Sequence, residues 1–180
     1  TFVIISGMID LSVASAMALV GCVTGTFYQA GFPMIAAMGI GLLLGAILGG
    51  FNGLLVTKFD LPPIIVTIGT LALYRGISQI LLGDHSIGHF PDWFVGIDRK
   101  FIGGSIIPLP LVIFVGFSIV AGLILNLTVF GRKIYAIGMN ERAAKYSGIP
   151  VNKTKMILFI ASGMMAAVGG LFMISRLGVA

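Results

Sequence analysis

The 47 residues from Leu11 to Thr57 decide the fold of this chain, and they read LSVASAMALVGCVTGTFYQAGFPMIAAMGIGLLLGAILGGFNGLLVT. None of them carries a charge. About 20 apolar residues in a helix are enough to cross the hydrocarbon core of a membrane, so the stretch is long enough for two crossings. A glycine and a proline at 31 and 33 interrupt it near its middle. We therefore predict two helices, 12–29 and 33–56.

Three further apolar stretches follow. Leu61–Leu82 is apolar except for Arg75, and neither Leu111–Val129 nor Met156–Ser175 contains a charge. They predict spans at 61–82, 111–129 and 156–175, five in all. Inside lipid every backbone polar group must be bonded, and the alternating pattern of barrel strands is missing, so the spans are helices. The predicted fold class is all-α, a polytopic membrane protein in which residues 1–180 form one transmembrane domain.

The composition excludes a soluble globular protein. Hydrophobic residues make up 58% of the chain and charged residues only 9%. The mean hydropathy is +1.11. An ordinary soluble domain has about 25% charged residues, so this chain lacks the polar surface that would keep it dissolved. We expect its surroundings to be the lipid bilayer.

The cations indicate the orientation in the membrane. Two connections, 57–60 and 130–155, hold seven of the 11 Lys and Arg residues: Lys58, Arg132, Lys133, Arg142, Lys145, Lys153 and Lys155. The segment 83–110 and the residues after 175 hold only Arg99, Lys100 and Arg176. Cytoplasmic connections are rich in cations, so we predict a cytoplasmic segment 130–155 and a periplasmic loop 83–110. The same distribution explains the high isoelectric point without nucleic acid, which we do not expect as a partner.

A glycine stripe marks one face of the second span. It consists of Gly41, Gly45, Gly49 and Gly53, spaced every four residues. Residues at this spacing share a helix face, and small side chains let another backbone approach closely. We interpret the stripe as a helix-packing face rather than part of a permeation path. Asn52 lies beside it, where its amide could bond across helices or reach the membrane interface.

The segment Ser6–Ser12 separates two apolar stretches by almost no polar loop. Gly7 permits a reversal of the chain, and Asp10 or Ser12 could cap the helix that follows. Alternatively, a broken helix at membrane depth exposes backbone donors and a carboxylate to a water-filled path. Both interpretations stay open at this point.

The third span begins with two prolines in its first turn, where a helix tolerates them. Thr67 and Thr70 follow at a spacing that places them on roughly the same face. Arg75, farther along, either reaches the external interface or faces a cavity. The candidate residues of a substrate path are therefore Asp10, Ser12, Asn52, Thr67, Thr70 and Arg75.

The external segment Gly83–Pro110 contains a few polar residues among glycines and prolines, namely Asp84, His85, His89, Asp92 and Trp93. It is interpreted as an irregular loop with an aromatic anchor at the interface. His85 and His89 have the spacing of helical metal ligands, but Gly83, Gly88 and Pro91 argue against a helix there. We predict no metal site, and no catalytic residues are recognisable.

The cytoplasmic segment 130–155 is too long for a simple connection. Asn140 can cap a short helix, Glu141–Tyr146, which Gly148 and Pro150 then end. An acidic first turn and a basic last turn suit the helix dipole. The alternative is a solvated amphipathic turn that rests on lipid headgroups.

Three of these segments resemble one family. ISGMIDLSV at 5–13, LPPIIVTIGT at 61–70, and GRKIYAIG at 131–138 with the residues 140–151 look like the monosaccharide-type permease subunits of bacterial ABC importers. Met8, Ala14 and Met139 stand where the family usually has glycine. The resemblance covers the whole chain but implies an internal fragment, because the family's proteins are longer at both ends.

The resemblance implies a homodimeric or heterodimeric channel for a sugar in the bacterial inner membrane, loaded by a periplasmic sugar-binding protein and driven by a cytoplasmic ATPase that binds ATP and Mg²⁺. In that family a short cytoplasmic helix docks into the ATPase. The corresponding residues here are Gly138, Asn140, Glu141, Arg142, Ala143, Ala144, Ser147 and Gly148.

The sequence also bears on the source of energy. No G-x-x-x-x-G-K-[ST] loop occurs in it, so we expect this chain to bind no nucleotide or other cofactor itself. A secondary transporter or channel for a small polar solute stays an alternative, although it would need a buried coupling group. An intramembrane enzyme is the weakest alternative, because no nucleophile with a neighbouring base is visible.

Overall fold

A computed structural model describes residues 1–83, 85–97 and 108–179. Their helices are, in chain order, α1 (Phe2–Ile5), α2 (Val13–Gln29), α3 (Met34–Lys58), α4 (Pro63–Leu82), α5 (Leu109–Leu127), α6 (Val129–Met139), α7 (Glu141–Tyr146) and α8 (Val151–Leu177). The predicted all-α membrane class is confirmed. Asp84, Arg99 and Lys100 lie outside the described residues, as does most of the second half of the predicted loop 83–110.

Four of these helices, α3, α4, α5 and α8, are long and apolar enough to cross a membrane. The first predicted span, 12–29, corresponds to α2, which has 17 residues and is shorter than the others. Its length is roughly 25 Å at 1.5 Å per residue. Ser12, the residue before α2, bonds to Asn52 within α3, and Asp10 bonds to Ser162 within α8, so α2 begins beside these helices rather than at their ends.

Two features of the segment 130–155 differ from the sequence prediction. Most of its first part forms α6, which starts at a break where Thr128 is extended and its hydroxyl accepts a bond from the Gly131 amide at 3.2 Å. Helix α8 begins at Val151, earlier than the predicted 156. The reason is that Lys155 is buried and paired with Glu141, so a charge at this position does not end the helix.

Helix α8 lies at the centre of the bundle. It packs along both α3 and α2, which also contact each other, and α4 packs mainly against α2. Helix α5 packs chiefly on α6, so most of its apolar side chains are exposed, as a lipid-facing helix requires.

The glycine stripe of α3 lies against α8 and α2. A Cβ atom added at Gly45 would lie 2.5 Å from the Cβ of Ala167, and one added at Gly49 would collide with the carbonyl oxygen of Phe159. Gly163 of α8 faces the stripe, and a side chain there would collide with the backbone of Gly45. The two helices therefore meet backbone to backbone, the geometry that small residues allow in membranes.

The orientation can be tested with single cysteines at Ser86 and Lys145, which are both exposed. Helix α5 separates them, so we expect an impermeant maleimide to label Ser86→Cys from the periplasmic side and Lys145→Cys only after the cytoplasmic side is opened. Equal labelling of both from the periplasmic side would contradict this topology.

Candidate functional site

Five polar side chains meet where α2 begins: Asp10, Ser12, Asn52, Tyr74 and Ser162, which we call the polar cluster. The carboxylate of Asp10 is its centre. Its Oδ1 accepts bonds from the Ser12 amide at 3.0 Å and the Ser12 hydroxyl at 2.7 Å. Its Oδ2 accepts a bond from the Ser162 hydroxyl of α8 at 2.7 Å. One half-buried carboxylate thus joins the segment before α2 to α8.

The cluster continues through α3 to α4. Asn52 donates a bond to the Ser12 hydroxyl at 2.8 Å and accepts one from the Tyr74 hydroxyl at 3.2 Å. Tyr74 also lies 3.0 Å from the carbonyl oxygen of Leu48. Ser12, Asn52 and Tyr74 are at most 2% exposed. A buried network of this kind fixes the relative positions of the helices that contribute to it.

The local sequence explains how Asp10 reaches this position. Gly7 has a φ of +79°, which a residue with a side chain rarely adopts, and α1 ends just before it. Asp10 then bonds the amide two residues on, an Asx turn, and α2 starts directly afterwards. The side chain of Ser12, at the N-cap position, makes no capping bond to the helix. Asp10 therefore organises the turn and the cluster rather than capping α2.

The polar cluster is closed. Apolar side chains from α2, α3 and α8 complete its walls, and the space inside has no room for a water molecule. A sugar is many times larger than water. In this conformation the cluster therefore holds helices together and binds no solute.

The other predicted path residues lie elsewhere. Thr67 is fully buried, and its hydroxyl is 2.9 Å from the carbonyl oxygen of Pro63 and 3.3 Å from that of Ile9. Thr70 is buried and lies 3.4 Å from the carbonyl oxygen of Thr67. Arg75 is exposed on α4. The structure thus brings together Asp10, Ser12 and Asn52, places Thr67 beside the segment that carries Asp10, and leaves Thr70 and Arg75 outside the cluster.

Two members of the polar cluster, Tyr74 and Ser162, were not among the residues predicted from the sequence. Tyr74 could have been suspected, because a tyrosine inside an apolar helix needs a partner for its hydroxyl. Ser162 gave no such signal, since serine often bonds to its own helix in a membrane span.

Helix α7 is held in place at both ends. Asn140 accepts a bond from the Ala143 amide at 3.0 Å, as an N-cap does. At the other end Gly148 has a φ of +78°, and the Ile149 amide donates to the carbonyl oxygen of Ala144 at 3.1 Å. These bonds explain why the helix covers Glu141–Tyr146, the range expected from the sequence.

Three of the residues expected to contact a partner are engaged within the chain instead. Ala144 is 4% exposed and belongs to a small core with Ile137 and Val151. The carboxylate of Glu141 pairs with the Lys155 ammonium at 2.5 Å. A side chain at Gly138 would collide with the carbonyl oxygen of Ile5. In this conformation Ala144 is not accessible to a partner, because that face of α7 packs on α6 and α8.

The opposite face of α7 is open. Exposed residues there and at its ends include Met139, Arg142, Ala143, Lys145, Tyr146 and Ser147, with Tyr146 92% and Met139 88% exposed. We call this set the α7 outer face. It combines two cations with two large apolar side chains, a composition that favours contact with an acidic, partly apolar surface.

Comparison with known proteins decides the family. Residues 1–180 match the family described as "Branched-chain amino acid transport system / permease component". The chain belongs to this permease family. The resemblance to sugar permeases that the sequence motifs indicated is confirmed by two relatives, each of which matches the whole chain. The autoinducer 2 import system permease protein of Klebsiella pneumoniae is 38% identical over 186 residues. The ribose import permease protein of Haemophilus influenzae is 38% identical over 184 residues.

This permease chain spans about half the length of the curated relatives it matches, 55% of the first and 56% of the second. No solved structure matches it. Its family and its four long apolar helices make it a multi-pass protein of the bacterial inner membrane.

Proposed function

We propose that this permease chain belongs to the membrane subunit of an ATP-driven importer for a monosaccharide or a similar small polyol. In this proposal it forms part of the translocation path and docks a separate cytoplasmic ATPase. The relatives support the substrate class, because one carries the name of a ribose import permease.

The observation that carries the proposal is the attachment of α7. A helix of six residues is not stable alone, because nucleation costs more than so few hydrogen bonds return. Here the Asn140 cap, the buried Ala144 and the Glu141–Lys155 pair fix it to the chain. A helix resting on lipid headgroups turns an apolar face to the membrane, but the Ala144 face is turned into the protein. In this proposal the ATPase binds the α7 outer face, the side of the helix that stays exposed.

The remaining partners follow from the same proposal. ATP and Mg²⁺ bind to the ATPase subunit, since this chain has no phosphate-binding loop of the Walker type. A second permease subunit completes the channel, as a homodimer or a heterodimer, and a periplasmic sugar-binding protein delivers the substrate. The secondary transporter alternative lacks support from the relatives, both of which carry names of import system permeases.

Docking is tested by co-purification of the ATPase with the full-length permease. We expect Tyr146→Ala and Arg142→Glu each to reduce the retained ATPase roughly tenfold, because central aromatic and arginine residues contribute most to an interface. The matched control is Ile80→Ala, which removes another highly exposed apolar side chain at the far end of α4. Full retention of the ATPase by both α7 variants would show that the α7 outer face rests on lipid instead.

A further inference from the structure

Two polar side chains on one face of α8 bond to two separate parts of the chain. Lys155 and Ser162 are seven residues apart, which is two helical turns and about 10.5 Å along the axis. Lys155 pairs with Glu141 of α7 at 2.5 Å, and Ser162 donates to Asp10 at 2.7 Å. The same face of one helix therefore touches both α7, the proposed docking helix, and the polar cluster.

The part of α8 between these two residues is tightly packed. Leu158 is 1% exposed and Phe159 0%, and both belong to one core with Val3, Met8 and Ile134. Protein interiors at this packing density deform little, so they pass a displacement on rather than absorbing it. A shift of α8 at Lys155 must therefore reach Ser162.

We propose that Lys155 and Ser162 are positioning residues that couple the docking helix to the polar cluster. The proposal rests on the proposed function and specifies how it would be driven. When the ATPase moves α7, the ion pair moves α8 with it, and the bond between Ser162 and Asp10 is strained or broken. Because Asp10 is tied to Asn52 through Ser12, the contact of α8 with α3 and α2 then changes at the cluster.

The test uses the full-length permease with its ATPase and binding protein in proteoliposomes. The measured quantity is sugar transported per ATP hydrolysed, with a mixture of radiolabelled ribose, arabinose, xylose, galactose and glucose as the probe. We expect Lys155→Met and Ser162→Ala each to lower this ratio roughly tenfold, within the usual range of coupling between sites. Both variants should keep the ATPase bound, since neither residue belongs to the α7 outer face and the Asn140 cap and the buried Ala144 still hold α7 in place.

Matched controls separate coupling from a general loss of structure. Lys153→Met removes an exposed cation of the same helix and should keep the wild-type ratio. Ser162→Thr retains a hydroxyl and should transport nearly normally. If Lys155→Met is poorly folded, the exchange E141K/K155E restores the ion pair with its two charges swapped. This variant should recover the ratio of sugar transported to ATP hydrolysed.

The double variant K155M/S162A gives the decisive comparison. If both residues belong to one connection, the double variant should transport no less sugar per ATP hydrolysed than the worse of the two single variants. Multiplied losses, or wild-type ratios in both single variants, would overturn this inference while ATP-driven uptake by the wild type still supports the proposed function. A wild-type complex without ATP-driven uptake would instead refute the proposed function, and this inference with it.

Discussion

Gly49→Ala is expected to lower the free energy of unfolding of this permease by about 3 kcal/mol, the upper part of the range for overpacked cores. The added methyl group would collide with the carbonyl oxygen of Phe159 and approach the Ile160 Cα, which are backbone atoms. A flexible side chain can turn aside, whereas backbone can yield only if α3 and α8 separate. Denaturant titration in mixed micelles measures this effect.

The neighbouring glycine supplies the control. A Cβ at Gly50 would have its nearest neighbour at 3.7 Å, the side chain of Ile160, which is ordinary van der Waals contact. Gly50→Ala should therefore be neutral or slightly stabilising, since alanine favours helix over glycine. Equal stability of the Gly49 and Gly50 variants would contradict the close packing of α3 on α8.

Asp10→Ala is expected to cost about 2 to 3 kcal/mol of stability, because it removes the acceptor for three partly buried hydrogen bonds and leaves their donors without this partner. Sugar uptake should fall with it, since the contact of α8 with the segment before α2 is lost. Unfolding in mixed micelles and uptake in proteoliposomes measure the two effects.

Asp10→Asn is the conservative comparison. Its amide keeps one acceptor oxygen for Ser12 and can still form a bond with the Ser162 hydroxyl, so we expect less than half of the loss seen with alanine. If Asp10→Ala is as stable and as active as the wild type, the polar cluster has no part in holding the helices together.

The elements that the sequence predicts well are those with a local signal. A charge-free stretch has a length that can be compared with the membrane, so α3 and α4 could be expected from composition alone. The range of α7 was accessible because Asn140 and Gly148 act within a few residues of the helix they delimit. The four-residue period of the glycine stripe is visible in the sequence, but its partner on α8 is not.

The polar cluster depends on contacts that no local pattern encodes. Asp10 and Ser162 are 152 positions apart, and Asn52 and Ser12 are 40 apart. Neither pair has a spacing that a helix or a turn would impose, so only the packing of α2, α3 and α8 against one another brings them together. Thr67 and Thr70 share a face as expected, but that face is buried, and their hydroxyls lie close to backbone carbonyl oxygens.

Helix α7 illustrates a second limit. In a helix of six residues the two faces differ by only a few side chains, so composition does not tell which one is buried. Two contacts with the rest of the chain accompany the orientation: Ala144 packs with Ile137 and Val151, and Glu141 pairs with Lys155, while Tyr146 stays outside. A lysine that directly precedes an apolar run gives no hint of this pairing.

Measuring whether uptake requires ATP is the most direct test of the proposed function. Full-length permease, ATPase and binding protein are reconstituted in proteoliposomes, with ATP and Mg²⁺ supplied on the side of α7, and uptake of the labelled sugar mixture is followed. We predict uptake with ATP and none with ADP, whether or not a proton or sodium gradient is present. Uptake driven by an ion gradient without ATP would contradict the account and identify the protein as a secondary transporter.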